Sequence, residues 1–442
     1  MWSAIMTDHL SYEYLVTTLH HQLEQLPDHR TGQNMRYTIK DAALAAFAVF
    51  FTQSPSFLAY QRTMRQNKGC SNAESLFQIE QIPSDNQIRS LLDPLTSRQL
   101  YPVFDEVWAA LTKTDRLDKY EVLNQQVLVS LDGTNYFSSK QIHCQNCLQR
   151  TSKGETTYYH SVITPVVVSP DRSTVISLVP EFIMPQDGHD KQDCERVAAK
   201  RWLKQQARHF QPHRTTLLGD DLYSNQPLCE LALQEKYNFI FVCKPDSHQV
   251  LYEWLDGLAA GDDLDHFTIR HWNGRFHEIM TYRYINEVPL RGGEDALMLN
   301  WVEMTIIHAQ TGEQLYHNAF VTNHELTRQT VVPLVKAGRT RWKSENENNN
   351  ILKTKGYHLE HNFGHGQQYL ASFLLTLNLL AFLFHTILEL LDDNYRLLRQ
   401  ELATRQTFFN DIRALTRYFY FNSWQHLLEF MIQQLELDPD TS

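Results

Sequence analysis

The sequence predicts a mixed α/β protein, helical towards both ends and strand-rich in the middle, and three observations predict it. Apolar residues recur at helical spacing over residues 9–27, where Leu15, Leu19 and Leu23 share a face, and over 38–65, where 41–51 form an Ala- and Phe-rich run. From Gln126 the pattern shortens to strands: 127–132, 158–168 and 174–183 are apolar runs separated by turn signals at Lys153-Gly154 and Ser169-Pro170-Asp171. Helix and strand patterns then alternate, with helices over 190–210 and 226–236 and strands over 214–220 and 238–243. At 442 residues, 42% hydrophobic and 21% charged, the chain has the composition of a soluble globular protein long enough for two or three domains.

Each element has a local cause. Ser84 or Asp85, after Pro83, supplies an N-cap for a helix through Gln87-Ile88-Arg89-Ser90-Leu91-Leu92, and a second helix from Ser97 completes a pair. Residues 1–120 therefore form an expected helical region with a helix-turn-helix flavour; the plainer reading is that these helices cap the rest or support dimerisation. Strand-like stretches at 267–272, 277–284, 300–308 and 314–322, with turns at Asn273-Gly274, Gly292-Gly293 and Thr311-Gly312, predict a β-rich insertion over 246–325. Residues 369–391 carry no charge before Glu389, a run long enough to cross a membrane. Asn378 and His385 inside it, and the lack of a basic flank, favour a buried helix backing the sheet and no membrane. Residues 396–442 follow as amphipathic C-terminal helices, a cover or a dimer contact.

The net charge of -11 argues against a uniformly basic nucleic-acid binder, but phosphate contacts depend on local patches. Glu429, Glu436, Asp438 and Asp440 concentrate acid in the tail and leave room for a basic groove elsewhere. Six cysteines in so long a chain predict reduced thiols and a cytoplasmic setting. Residues 1–25 lack a basic leader followed by an apolar run, so no signal peptide is expected.

The residues that carry chemistry are acids at the ends of apolar runs. Residues 127–131 run into Asp132-Gly133-Thr134, and 215–218 run into Gly219-Asp220-Asp221, so two carboxylates are expected at a sheet edge. Residues 339–355, with alternating charges and no internal Gly or Pro, read as a polar helix that lies on neither core nor lipid, with Arg341 and Glu345 on one face. Two strand-end aspartates and a helical glutamate make an all-oxygen donor set suited to Mg²⁺ or Mn²⁺.

Asp-Gly-Thr at 132–134, Gly-Asp-Asp-Leu-Tyr at 219–223 and Arg-Trp-x-x-Glu at 341–345, in that order, resemble the insertion-sequence DDE transposases with a Tyr-Arg-Glu-Lys signature, over roughly residues 80–390. The resemblance implies a ribonuclease-H-like catalytic domain in two parts, 121–245 and 326–395, around the insertion. It implies Asp132, Asp220 and Glu345 as catalytic residues and Mg²⁺ (or Mn²⁺) ligands, with Arg341, Lys353 and Lys355 holding DNA phosphates. The implied partner is double-stranded DNA, both transposon ends and target, in a homodimeric complex at the nucleoid, with the N-terminal region gripping the ends. The insertion would contact the cleaved end, where Trp272 or Trp301 either stacks on an unpaired base or simply packs. Around Glu345 the pattern departs from the family: Gly338 stands in the tyrosine position, and Leu352 in the lysine position with Lys353 one place later. Asp221 competes with Asp220, which its spacing to Tyr223 favours, and Glu347 competes with Glu345.

Cys144 and Cys147, beside His143, can be half a zinc site, with His160, His189 or Cys194 as completions. No second pair follows at finger spacing, so a reduced-thiol loop is the simpler reading. His358, His361 and His365 read as a turn touching DNA or ordering the site's rim rather than as metal ligands. Asp193 and Glu195 open a helix, where acids are stabilised by the dipole without further function. The rival functions are a catalytically silent, transposase-derived DNA-binding protein and a membrane-tethered or zinc-stabilised interaction protein.

Overall fold

The computed structural model describes residues 10–31, 35–64, 71–185, 193–261, 263–402 and 404–438. The chain is mixed α/β. Its strands are β1 (Val127–Ser130), β2 (Gly133–Ser139), β3 (Leu148–Ser152), β4 (Glu155–Ile163), β5 (Val166–Ser169), β6 (Arg172–Ser177), β7 (Glu181–Ile183), β8 (Thr215–Gly219), β9 (Asn238–Val242), β10 (Asp265–Trp272), β11 (His277–Pro289), β12 (Met298–His308) and β13 (Gln314–Thr322). Nine of them form one sheet in the order β10-β11-β12-β13-β9-β8-β1-β5-β6. Strands β1, β5 and β6 are antiparallel neighbours, while β8 and β9 run parallel to β1 after crossovers through the helices Glu195–Gln206 and Gln226–Gln234. Every residue of β8 and β9 is buried, which explains why they read as unbroken apolar runs rather than as alternating ones.

Two strand expectations change. The run 158–168 is two strands, because Pro165 has no N–H to give a ladder: Thr164 N–H turns to Asp132 O (3.1 Å), and Pro165 O accepts from Leu178 N–H (2.9 Å). Strand β4 therefore joins β2, β3 and β7 in a second, four-stranded sheet, and β5 stays in the first. The run 174–183 likewise divides into β6 and β7. The strands expected as an insertion are continuous with the main sheet, since β13 pairs with β9 through Phe320↔Val242 to Thr322↔Ile240. The helix expected over 190–210 starts at Glu195, its first residues lying outside those described.

The helices Ile39–Phe51 and Leu370–Leu391 form the centre of the helical layer. All of Ile39–Phe51 except Lys40 is buried. Leu370–Leu391 is apolar enough to cross a membrane, yet 83% of its most apolar window is buried inside the fold, against Ile39–Phe51 and β6. Asn378 and His385 inside it each bond to Tyr357 through one side-chain nitrogen: Asn378 Nδ2 donates to Tyr357 O (2.8 Å), and His385 Nδ1 lies 2.6 Å from the Tyr357 hydroxyl. The N-terminal and C-terminal stretches share this core. Tyr12 stacks on Trp424 at 4.9 Å, Asn72 donates to the carbonyls of Thr416 (2.8 Å) and Phe419 (2.7 Å), and Arg413 donates to those of Thr52 and Gln53. Of the two N-cap candidates, Ser84 and Asp85, it is Ser84 that caps Asp85–Leu92, in a capping box with Gln87.

Candidate functional site

Parallel pairing of β1 and β8 builds the site. Ser130 is in register with Leu218, and Leu131 N–H donates to Leu218 O (2.9 Å), so the chain leaves both strands at one edge and Asp132 and Asp220 emerge there together. A third acid arrives on the segment Ser344–Asn349, a π-helical turn. Asn349 Nδ2 donates to Asp132 Oδ2 (3.0 Å), while Asn349 Oδ1 accepts from the Thr164 hydroxyl (2.8 Å) and Thr164 Oγ1 from Asn348 Nδ2 (3.1 Å). One network thus joins the end of β1, the corner between β4 and β5, and the segment that carries Glu345.

That segment corrects an expectation. Residues 339–355 are not one helix lying off the core; the helix Val331–Arg339 ends, the π turn follows, and a short helix Asn350–Thr354 completes the stretch. Lys343, Ser344, Asn348 and Asn349 are buried. Polar residues can be buried here because the neighbouring corner offers partners: Lys343 Nζ donates to the carbonyls of Ser169 (2.6 Å), Pro170 (3.0 Å) and Arg172 (2.5 Å). Gly338 also has a steric reason, since an added Cβ would meet Ile240 Cγ2 at 2.8 Å and Phe320 Cε1 at 3.0 Å. A tyrosine has no room in that position.

A fourth acid belongs to the cluster. Glu195 Oε1 accepts from the Tyr223 hydroxyl (2.8 Å), and an added Cβ at Gly133 would overlap the Glu195 carboxylate. The close approach requires glycine directly after Asp132. Glu195 is therefore more than a dipole-stabilised acid, whereas Asp193 is bound to Arg201 at 2.8 Å. Its signal in the sequence was the pairing of Gly133 and Tyr223 with the two aspartate motifs. Burial pushes the Asp132 carboxyl up to about 6; Arg341 opposes the rise, and Glu195, Asp220 and Glu345 add to it. Burial also raises Glu195, with Asp220 adding to the rise and the Tyr223 hydroxyl opposing it.

The alternatives divide by their neighbours. Asp221 is committed elsewhere: it accepts from Lys244 N–H (2.7 Å) and from the Ser247 hydroxyl, while Asp220 shares the field at Asp132. The charge of Glu345 adds to the rise at the Asp132 carboxyl, and that of Glu347 opposes the lowering that burial imposes on Lys343. Lys353 pairs with Glu360 (2.9 Å), and Lys355 is exposed. Trp301 is fully buried and cannot stack on a base, but Trp272, at the end of β10, is 53% exposed.

A second cluster joins two motifs that the sequence kept apart. Cys144 and Cys147, on the connection between β2 and β3, meet His160 of β4 and His365 of the turn before Leu370–Leu391. Their ligand atoms lie within 4.8 Å of one another, and all but Cys144 are buried. This Cys₂His₂ group could hold a metal such as zinc. Cys194 is exposed and outside it, and His189 lies outside the described residues. Among the described residues it is the one such group so closely gathered; Asp132, Asp220 and Glu345 are not, and the expected Mg²⁺ ligand set is not drawn together as a preformed cage. A scan against protein-family models finds no match, and a search of curated proteins finds no relative.

Proposed function

We propose that the chain is a DNA-cutting and strand-joining enzyme of the DDE transposase type, with Asp132, Asp220 and Glu345 as its catalytic carboxylates and Glu195 beside them. One observation carries the reading: Asp132 and Asp220 leave adjacent parallel strands at one edge, with Glu195 lying against Gly133 and Asn349, from the segment that bears Glu345, bonded to Asp132. Concentrated negative charge fits a divalent cation, and Mg²⁺ keeps waters and takes substrate phosphates as ligands, so protein carboxylates need not supply its whole shell. When bound, such ions supply activation of the attacking oxygen and stabilisation of the leaving 3′ oxygen. Asn349 orients the Asp132 carboxylate, Tyr223 orients Glu195, and Arg341, whose charge opposes the rise at Asp132, would hold a phosphate.

The strand order supports a ribonuclease-H-like domain: three antiparallel strands, then helix, strand, helix, strand, with the last two parallel to the first. Double-stranded DNA as partner is supported by two features. A cleft of about 750 Å³ runs between β10–β12 and Val331–Arg339, lined in part by Arg172, Lys336, Arg339 and Trp342. A basic hollow is lined by Arg116, Lys119, Arg396 and Arg399, and Arg399 has buried Nε and Nη1 atoms without hydrogen-bond partners. Homodimeric synapsis at the nucleoid follows from the same reading.

The test is cleavage of labelled duplex carrying the DNA that flanks the coding region, with Mg²⁺, comparing the wild type with Asp132→Ala, Asp220→Ala, Glu345→Ala and Glu347→Ala. Nicking lost in the first three and kept in the fourth is the expected result. The loose gathering of the carboxylates favours one second reading, a catalytically silent DNA-binding descendant, which binding without any cutting would establish.

A further inference from the structure

We infer that Cys144, Cys147, His160 and His365 form a closed structural zinc site that clamps the second sheet to the turn before Leu370–Leu391. With Zn–S near 2.3 Å and Zn–N of 2.0–2.1 Å, a tetrahedral Cys₂His₂ site has edges of about 3.8 Å for S–S, 3.5–3.6 Å for S–N and 3.3–3.4 Å for N–N. The structure has 3.9 Å between the two sulfurs and 3.1 Å between the two Nε2 atoms. Its sulfur-to-nitrogen edges are 3.6 Å (Cys144 to His160), 3.5 Å (Cys147 to His160) and 3.4 Å (Cys147 to His365). Five edges of a zinc tetrahedron are thus present to within a few tenths of an ångström.

The surroundings have the same character. Cys144 N–H donates to Cys147 Sγ (3.4 Å), turning a backbone dipole towards the sulfur. His365 Nδ1 lies 3.0 Å from the Gly366 carbonyl, which must accept its proton; this leaves a lone pair on Nε2, as a ligating histidine requires. Tyr136 stacks on His160 at 5.4 Å and Phe137 packs on His365 at 4.3 Å, walling the centre from water. Four protein ligands leave no open position, so the metal is structural rather than catalytic.

The clamp also bears on the carboxylates. Strand β2 begins at Gly133, directly after Asp132, and His365 follows the segment that carries Glu345 in the chain, so the metal ties together stretches that continue from two of the acids. Asn146 Nδ2 donates to Gln368 O (2.6 Å) across the same seam. The inference stands whether or not the chain cuts DNA.

The experiment is elemental analysis of the full chain purified under reducing, zinc-replete conditions, followed by Co²⁺ exchange and hydrogen exchange. About one zinc per chain is expected, with Co²⁺ giving tetrahedral d–d bands and a thiolate charge-transfer band. Cys147→Ser and His365→Gln should lose the metal, and Cys194→Ser and Asp132→Ala should keep it. Chelation of the wild type, which needs no variant to fold, should speed amide exchange over 133–163 and 357–369 and lower Tm by about 5 °C or more. Protein without zinc, a Cys144–Cys147 disulfide in its place, or zinc lost in Asp132→Ala would each overturn the assignment.

Discussion

Replacing Asp132 with Asn should stabilise the protein in magnesium-free buffer at pH 8. In the folded chain this carboxyl is pushed up from 3.8 to about 6 by burial and by Glu195, Asp220 and Glu345. An acid whose folded pKa lies above its unfolded value holds its proton more tightly when folded. Its ionisation therefore costs stability progressively between pH 4 and pH 6, fully above pH 6, and not at all below pH 4. The rise from 3.8 to about 6 corresponds to about 3 kcal/mol, which partial solvent access reduces to about 2 kcal/mol. Over 442 residues, with an unfolding entropy near 2.1 cal/mol/K per residue, that is a gain of about 2 °C in Tm. Asparagine imitates the protonated acid and keeps the oxygen that accepts from Asn349, so the variant escapes the cost. Urea unfolding at pH 8 and pH 4.5 reads the effect: the advantage should be full at the first and fall to about a third at the second. Millimolar Mg²⁺ should then stabilise the wild type alone. A variant less stable than wild type at pH 8, or equally advantaged at both pH values, would refute the reasoning.

Glu195→Gln should cut Mg²⁺-dependent nicking about 100-fold or more while leaving the zinc content unchanged, read by single-turnover cleavage and elemental analysis. Lys343→Met strands three carbonyls and should cost about 2–4 kcal/mol, read by urea unfolding; a neutral result would show that the Ser169 to Arg172 corner re-pairs with water. Trp272→Ala should weaken single-stranded DNA binding by about 1–3 kcal/mol without loss of stability, measured by fluorescence titration. Trp301→Ala should instead lose about 3–5 kcal/mol of stability on denaturation, because its ring is fully buried.

The acids at the ends of β1 and β8 were legible because both strands are short apolar runs that stop on an aspartate, though their parallel pairing was not, and a local cap announced the helix after Pro83. The burial of Leu370–Leu391 was legible from its composition, but its reason was not: Asn378 and His385 are there to hold Tyr357, a contact between segments that the sequence separates. Glu195 read as structural because an acid opening a helix has a sufficient local explanation, and only the folded chain brings it over Gly133 to Tyr223. Residues 339–355 misled because alternating charge ordinarily marks a solvated face, and nothing local says that three carbonyls wait for Lys343. Cys144, Cys147 and His365 were each visible as weak signals, but a metal site depends on distances between side chains and not on spacing along the chain. By itself the sequence determined the apolar runs, the caps and the acids that end the strands, since these depend on neighbours in the chain. Tertiary structure alone decided which acids meet, which polar groups can be buried and which thiols share a centre, because those depend on partners that folding brings from far away.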